Sequence, residues 1–178
     1  MSAIVRPDKR LAAVPSVQRQ PGASAVTAQT ATVLIVDDEP SARLTLAAMM
    51  EPESCRIVFA TGAAGLHERL ERINPDVIIC DVVMEDMCGD EFFRWLKAHE
   101  RWHLVPIVAV TRLDSPVVRA DLLEAGADSV LVKPCRPQEL RAHVHAALRT
   151  RRAYARLGVE GCLGSGAIDP RHTTLGCG

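Results

Sequence analysis

Aromatic residues are scarce in this chain: three Phe, two Trp and one Tyr make up 3% of its 178 residues. Any core must therefore be assembled from Val, Leu, Ile and Ala, because hydrophobic residues as a class still reach 48%. The scarcity also removes the stacking platform of proteins that grip single-stranded nucleic acid. Excess charge is missing as well. With 21 basic and 22 acidic residues the formal net charge is -1, so global charge gives no reason to expect a nucleic acid or membrane partner. No apolar run approaches the roughly 18 residues needed to cross a bilayer. The N-terminus lacks the apolar centre of a secretory signal. Its Arg content and low acidity faintly suggest a transit peptide, but Pro7, Pro15 and Pro21 oppose the amphipathic helix such a peptide needs. The cysteines (Cys55, Cys80, Cys88, Cys135, Cys162, Cys177) form no C-x-x-C pair and stand at no metal-ligand spacing from a histidine. Reduced thiols and a cytoplasmic setting are the expectation.

Residues 1–31 are rich in Ala, Ser, Gln and Pro and show no period, so they are expected to form a disordered leader. From Thr32 the chain alternates short apolar runs with helical patterns. The expected strands are Thr32–Val36, Arg56–Ala60, Asp76–Cys80, Pro106–Val110 and Ser129–Val132. Between them lie a helix from Pro40 to Met50, a second carrying Ala63, Leu66, Leu70 and Ile73, and a third from Asp90 to His99. A fourth is capped by Ser115, with Pro116 just inside it and Gly126 at its end; a fifth carries Leu140, Val144 and Leu148. The last helix is expected to run on to Leu157, giving a domain over 32–157 and a Gly-rich flexible tail over 158–178. Five near-continuous apolar strands alternating with helices imply an α/β fold: a doubly wound parallel sheet in three layers, α/β/α, with right-handed crossovers. The flavodoxin-like strand order 2-1-3-4-5 is the expectation.

That order gathers chemistry at one edge. Asp37-Asp38, Asp81, Thr111 and Lys133 each stand at the carboxyl end of a different strand, where open parallel sheets bind ligands. Three carboxyl groups in one crevice call for a cation, and an all-oxygen donor set suits Mg²⁺. Lys133 adds a second positive charge. Metal and lysine together suit transfer of a phosphoryl group to a carboxylate, and the Thr111 hydroxyl could donate to that group. An acidic pair alone is ordinary loop charge; the constellation is what carries the reading. Other features are assigned no function. The Arg series Arg136, Arg141, Arg149, Arg151, Arg152 and Arg156 reads as a solvated helix face. The histidines (His67, His99, His103, His143, His145, His172) show no ligand spacing, and Trp95 and Trp102 read as packing residues.

Residues 32 to about 150 resemble the receiver domain of bacterial two-component response regulators. The resemblance rests on VLIVDDEP, on DVIICDVVM followed by Gly89 and Glu91, on VAVT, and on AGADSVLVKP, in that order. It implies that Asp81 accepts the phosphoryl group from a sensor histidine kinase or phosphotransfer protein. Asp38 would bind Mg²⁺ directly, Asp37 mainly through water, and Val83 through its carbonyl. Lys133 would contact a phosphoryl oxygen, Thr111 would turn inward to it, and the bond before Pro134 would often be cis. The resemblance also implies a homodimer through the fourth helix, fifth strand and fifth helix, and an acceptor that assists its own phosphorylation rather than a metabolic enzyme.

Four departures from the family pattern involve five positions. Val130 stands where an aromatic switch residue is usual. Arg112 replaces a small residue after the threonine, which predicts either hindrance of attack on Asp81 or recruitment of an anionic donor. Glu85 replaces a proline after Met84, which predicts a more mobile loop. Val83 and Leu113, two beyond Asp81 and Thr111, are apolar and cannot orient water, which predicts slow loss of phosphate. Two other classes compete. A pseudo-receiver that serves only as a binding module is favoured slightly by Val130 and Arg112 and opposed by the intact set of Asp37, Asp38, Asp81, Thr111 and Lys133. A metal-dependent phosphohydrolase would need a second acid beside Asp81, where Val82, Val83 and Met84 offer none.

Overall fold

The computed structural model describes residues 30–62 and 66–157. The expected leader (apart from its last two residues) and the expected tail lie outside the described residues, as does Ala63. Strands are β1 (Ala31–Val36), β2 (Cys55–Ala60), β3 (Val77–Asp81), β4 (Ile107–Thr111) and β5 (Ser129–Val132). Helices are α1 (Pro40–Met50), α2 (Leu66–Ile73), α3 (Gly89–Ala98), α4 (Pro116–Glu124) and α5 (Pro137–Arg156). All strand pairs are parallel and the order is β2-β1-β3-β4-β5, as expected.

The central strands β3 and β4 are buried at every residue, which is why they read as continuous apolar runs rather than alternating ones. Side chains nevertheless alternate between two cores. Leu34, Val36, Ile78, Cys80, Ile107 and Ala109 face the layer that holds α2, α3 and α4. Val33, Ile35, Val77, Ile79, Val108, Val110 and Leu131 face the layer of α1 and α5. Each helix meets its core through a stripe at helical spacing: Leu66 and Leu70 of α2; Phe92, Phe93 and Leu96 of α3; Leu140, Val144, Ala147 and Leu148 of α5. The few aromatics are concentrated where volume is needed. Phe92, Phe93 and Trp102 are fully buried, and Trp95 is half-buried beside them. His67 and His99 join this ring cluster, His99 stacking on Trp102 at 4.0 Å between centroids.

Proline starts α1, α4 and α5, where a missing N–H costs nothing. Asn74 ends α2 in the left-handed region at φ 46, a conformation asparagine tolerates better than most residues. Beyond it, Asp76 lashes the start of β3 to β1: its Oδ2 accepts from Thr32 N at 2.7 Å, and its own N–H donates to Thr32 O at 2.8 Å. Gly126 closes α4 at φ 116, and a Cβ there would lie 2.5 Å from Lys97 Cγ. One expectation needs correcting. Ser115 occupies the N-cap position of α4, but its side chain makes no capping bond; only its carbonyl is used, accepting from Arg119 N at 3.0 Å.

Candidate functional site

Register puts the polar residues on successive rungs at one edge. Val36 pairs with Cys80, so Asp37 emerges level with Asp81. Asp81 pairs with Val110, one residue before Thr111, and Thr111 pairs with Val132, one residue before Lys133. Alternation then decides who meets whom. Asp37, Asp81 and Lys133 share the parity of Ile35, Ile79 and Leu131, so all three turn toward the α1/α5 layer. Thr111 has the parity of Ala109 and belongs to the opposite layer.

Accordingly, Lys133 Nζ donates to Asp81 Oδ2 at 2.7 Å and to Asp37 Oδ2 at 2.8 Å. Asp37 is fully buried and Asp81 nearly so. Burial alone would draw the Lys133 ammonium down. Its bonds to Asp37 and Asp81, together with their charges, outweigh burial and leave its pKa raised. Asp37, Asp38 and Asp81 present oxygens that all lie within 4.8 Å of one another, an arrangement able to hold a metal ion. Each carboxyl group is also oriented by backbone. Asp37 Oδ1 accepts from Glu39 N at 2.9 Å, Asp81 Oδ1 from Val82 N at 2.7 Å, and Asp38 Oδ2 from Glu85 N at 2.9 Å. The peptide between Lys133 and Pro134 is cis, and Lys133 N donates to Thr111 O at 2.7 Å. The side chain of the fully buried Thr111 is engaged away from the aspartates: its Oγ1 accepts from Leu113 N at 3.1 Å. Val83 sits at the rim with an exposed side chain, bridged to Cys88.

Three contacts carry no clear signal in the sequence. Arg43, on the first turn of α1, donates from Nη1 to the carbonyls of Asp37 at 2.6 Å and Asp38 at 3.1 Å, holding the acidic turn from beneath. Glu85, in place of proline, predicts a looser loop. Its N–H instead anchors that loop to Asp38, a bond no proline can make. Arg112 pairs with Glu39 across the mouth of the cleft at 2.9 Å. Arg43 and Arg112 give only the weak signal of a cation near an acidic turn; the Glu85 amide gives none. Val130, in place of an aromatic ring, packs half-buried against the core on the side of α2, α3 and α4.

Comparison with known proteins agrees with this geometry. KdpE of Escherichia coli K12, a transcriptional regulatory protein of the KDP operon, is 37% identical over 118 residues, covering 66% of this chain and 51% of KdpE. CheY4 of Vibrio cholerae, a chemotaxis response regulator, superposes with a TM-score of 0.62 at 28% identity, over 67% of this chain and 99% of that one. The BeF3-activated receiver domain of RstA from Klebsiella pneumoniae gives a TM-score of 0.61 at 27% identity, over 66% and 98%. The chain spans about half the length of the curated relatives it matches. Among the described residues no helix is long and apolar enough to cross a membrane. The response regulator receiver domain family matches residues 33–145, and the chain belongs to that family, a signalling component of two-component systems.

Proposed function

We propose that this chain is a phosphorylation-dependent switch in which Asp81 takes a phosphoryl group from a phosphohistidine of a sensor kinase or phosphotransfer protein. The observation that carries the proposal is the shared contact of Lys133 Nζ with Asp81 at 2.7 Å and Asp37 at 2.8 Å, inside a cluster of three carboxyl groups. Three carboxyl groups against one ammonium leave the cluster short of positive charge, and its donors are all oxygen, which fits Mg²⁺. Two oxygens on one such ion lie at most about 4.2 Å apart. The aspartate oxygens lie within 4.8 Å of one another, close enough to share one ion directly or through its waters, with the Val83 carbonyl as a further donor at the rim. The ion would supply charge neutralisation on the transferring phosphoryl oxygens.

In the transfer a carboxylate oxygen of Asp81 attacks phosphorus, the P–N bond to imidazole breaks, and the imidazole leaves with its electron pair and gains a proton from solvent. The amides of Val82 and Val83 hold Asp81 Oδ1. Lys133 passes from Asp81 to a phosphoryl oxygen as charge builds there. Thr111 accepts from Leu113 N and keeps its own hydroxyl proton. Donating it to the phosphoryl group requires the segment after β4 to shift toward the cleft, and this is the two-state element the modification biases.

Val83 and Leu113 are both exposed apolar residues at the rim, so neither can position water, and slow loss of phosphate follows. Output runs through protein contact. The exposed Val117 and Leu123 on α4 and Tyr154 on α5 support a homodimer across the α4/β5/α5 face.

The test uses purified chain, Mg²⁺ and phosphoramidate, with the mass increase of one phosphoryl group read by intact-mass spectrometry. Uptake that Asp81→Asn abolishes is the expected result. No uptake, with the fold intact, would turn the chain into a binding module. A phosphoryl half-life of seconds would remove the slow-hydrolysis claim, and scattering that stays monomeric with and without beryllofluoride would remove the dimer.

A further inference from the structure

We propose that Arg112 is the anion-recognition residue of this site: Glu39 holds it at rest, and the phosphoryl group of an incoming donor displaces the carboxylate. The inference rests on the phosphoryl-transfer reading above and adds the class of donor the cleft selects, namely one that presents a dianionic phosphoryl group.

The placement of Arg112 is fixed from both sides. It follows Thr111, the last residue of β4, whose carbonyl is held by Lys133 N. Glu39 follows the acidic pair, and its amide is held by Asp37 Oδ1. Their side chains meet at 2.9 Å although 73 residues separate them. Both line one open cavity of about 460 Å³ that runs along α1 with Lys133 and Pro134; the aspartates do not line it, and Lys133, bonded to Asp81, links the pair to the carboxyl cluster.

The fold does not require this pair. Its side chains are 72% and 49% exposed, and ion pairs that exposed contribute little to stability. The β1–α1 loop is already secured by Arg43 on the Asp37 and Asp38 carbonyls and by the Glu39 amide on Asp37, and the segment after β4 by the Leu113 amide on Thr111 Oγ1 and the Arg119–Asp114 pair. Glu39 would not be left without a donor, because the Ser41 hydroxyl also bonds it. The cations that would serve the transfer itself, Lys133 and an ion held by the aspartates, both belong to the carboxyl cluster, so what remains to be supplied is a cation outside it to meet the newcomer first. A phosphoryl group approaching three carboxyl groups meets repulsion, and Lys133 is already engaged by two of them. Arg112 has a planar fork of donors that matches a phosphoryl group at least as well as a carboxylate. Exchange of one anion for another costs only an exposed pair and brings positive charge to the donor before transfer. It also frees the segment carrying Thr111 from its tie to the β1–α1 loop.

The test measures initial rates of phosphoryl uptake by the full chain from acetyl phosphate with Mg²⁺, at several donor and NaCl concentrations. Arg112→Ala should raise the apparent KM for the donor about fivefold, the scale of one partly exposed charge-assisted contact, with the limiting rate little changed. Arg112→Lys should recover part of the loss, and Glu39→Gln should lower KM by freeing the guanidinium. The difference between Arg112→Ala and the unaltered chain should vanish at high salt, where exposed charges are screened. An Arg112→Ala variant with an apparent KM equal to or below that of the unaltered chain would make Arg112 a bystander or an obstacle and overturn this proposal alone. A Glu39→Gln variant that slows uptake would overturn it too. No uptake by the unaltered chain overturns both the transfer reading and this inference.

Discussion

Two charged groupings border the same cleft and are built in opposite ways. Lys133 meets Asp37 and Asp81 with side chains that are 15%, 0% and 11% exposed. Arg112 meets Glu39 with side chains that are 72% and 49% exposed. In the first, each charge has left water and depends on its partners, so removing one strands the others. In the second, water can replace either partner. The comparison separates what fixes the site from what can exchange within it: the buried cluster sets geometry, and the exposed pair is free to trade one anion for another.

The largest effect should come from breaking the buried side. Lys133→Ala leaves a fully buried Asp37 without its ammonium and should cost about 3–5 kcal/mol, read from urea unfolding. Millimolar Mg²⁺ should raise the midpoint of this variant more than that of the unaltered chain, because a cation binding only the folded carboxyl cluster shifts the equilibrium by linkage. The pH dependence has a definite sign. Lys133 holds its proton to higher pH when folded than when unfolded. Its contribution is therefore complete below the ordinary lysine value of about 10.4 and is lost as pH rises through the higher folded value. The stability gap between unaltered chain and variant should stay constant from neutral pH to about 10 and narrow above it.

A smaller effect tests whether packing, rather than charge alone, keeps the buried side rigid. Gly89 starts α3 against the end of β3. A Cβ there would lie 2.7 Å from Val82 Cα and 3.2 Å from Asp81 O, contacts that only backbone movement can relieve. Gly89→Ala should cost about 1–3 kcal/mol as an overpacking change and should slow phosphoryl uptake, since the displaced backbone carries Asp81. Uptake at the normal rate with lowered stability would separate the two effects.

Much of this is legible without coordinates. Strands ending in Asp37-Asp38, Asp81, Thr111 and Lys133 mark the edge, because an apolar run followed by a polar residue shows where a buried strand emerges. Period-two counting along those strands would also have shown that Lys133, Asp37 and Asp81 share a face and that Thr111 does not. Backbone partners are not legible. Every non-proline residue has an N–H, so nothing in the letter Glu85 says that its amide reaches Asp38. The Ser115 cap fails for a related reason: serine at the right position is a propensity, and the rotamer decides whether the bond forms.

Glu85 sharpens the comparison from the middle, because its amide bonds a carboxyl group that is neither fully buried nor free. Glu85→Pro removes the donor to Asp38 and should cost about 1 kcal/mol, the net value of one such bond. Glu85→Ala keeps the N–H and should leave the urea midpoint where it was. Equal losses in the two variants would place the effect in the side chain and not in the amide.

The smallest effect belongs to the exposed pair, and its smallness is the point. Arg112→Ala and Glu39→Gln should each unfold at the urea midpoint of the unaltered chain, at low salt as well as high. The loops they join have other anchors, and solvent takes over whichever partner is left. A double variant should show no coupling in stability. Coupling should appear only when phosphoryl uptake is measured, because only then does a third anion compete for the guanidinium. If removing Arg112 instead lowered the midpoint as much as removing Lys133, both groupings would be structural, and the division between a fixed cluster and an exchangeable one would fail.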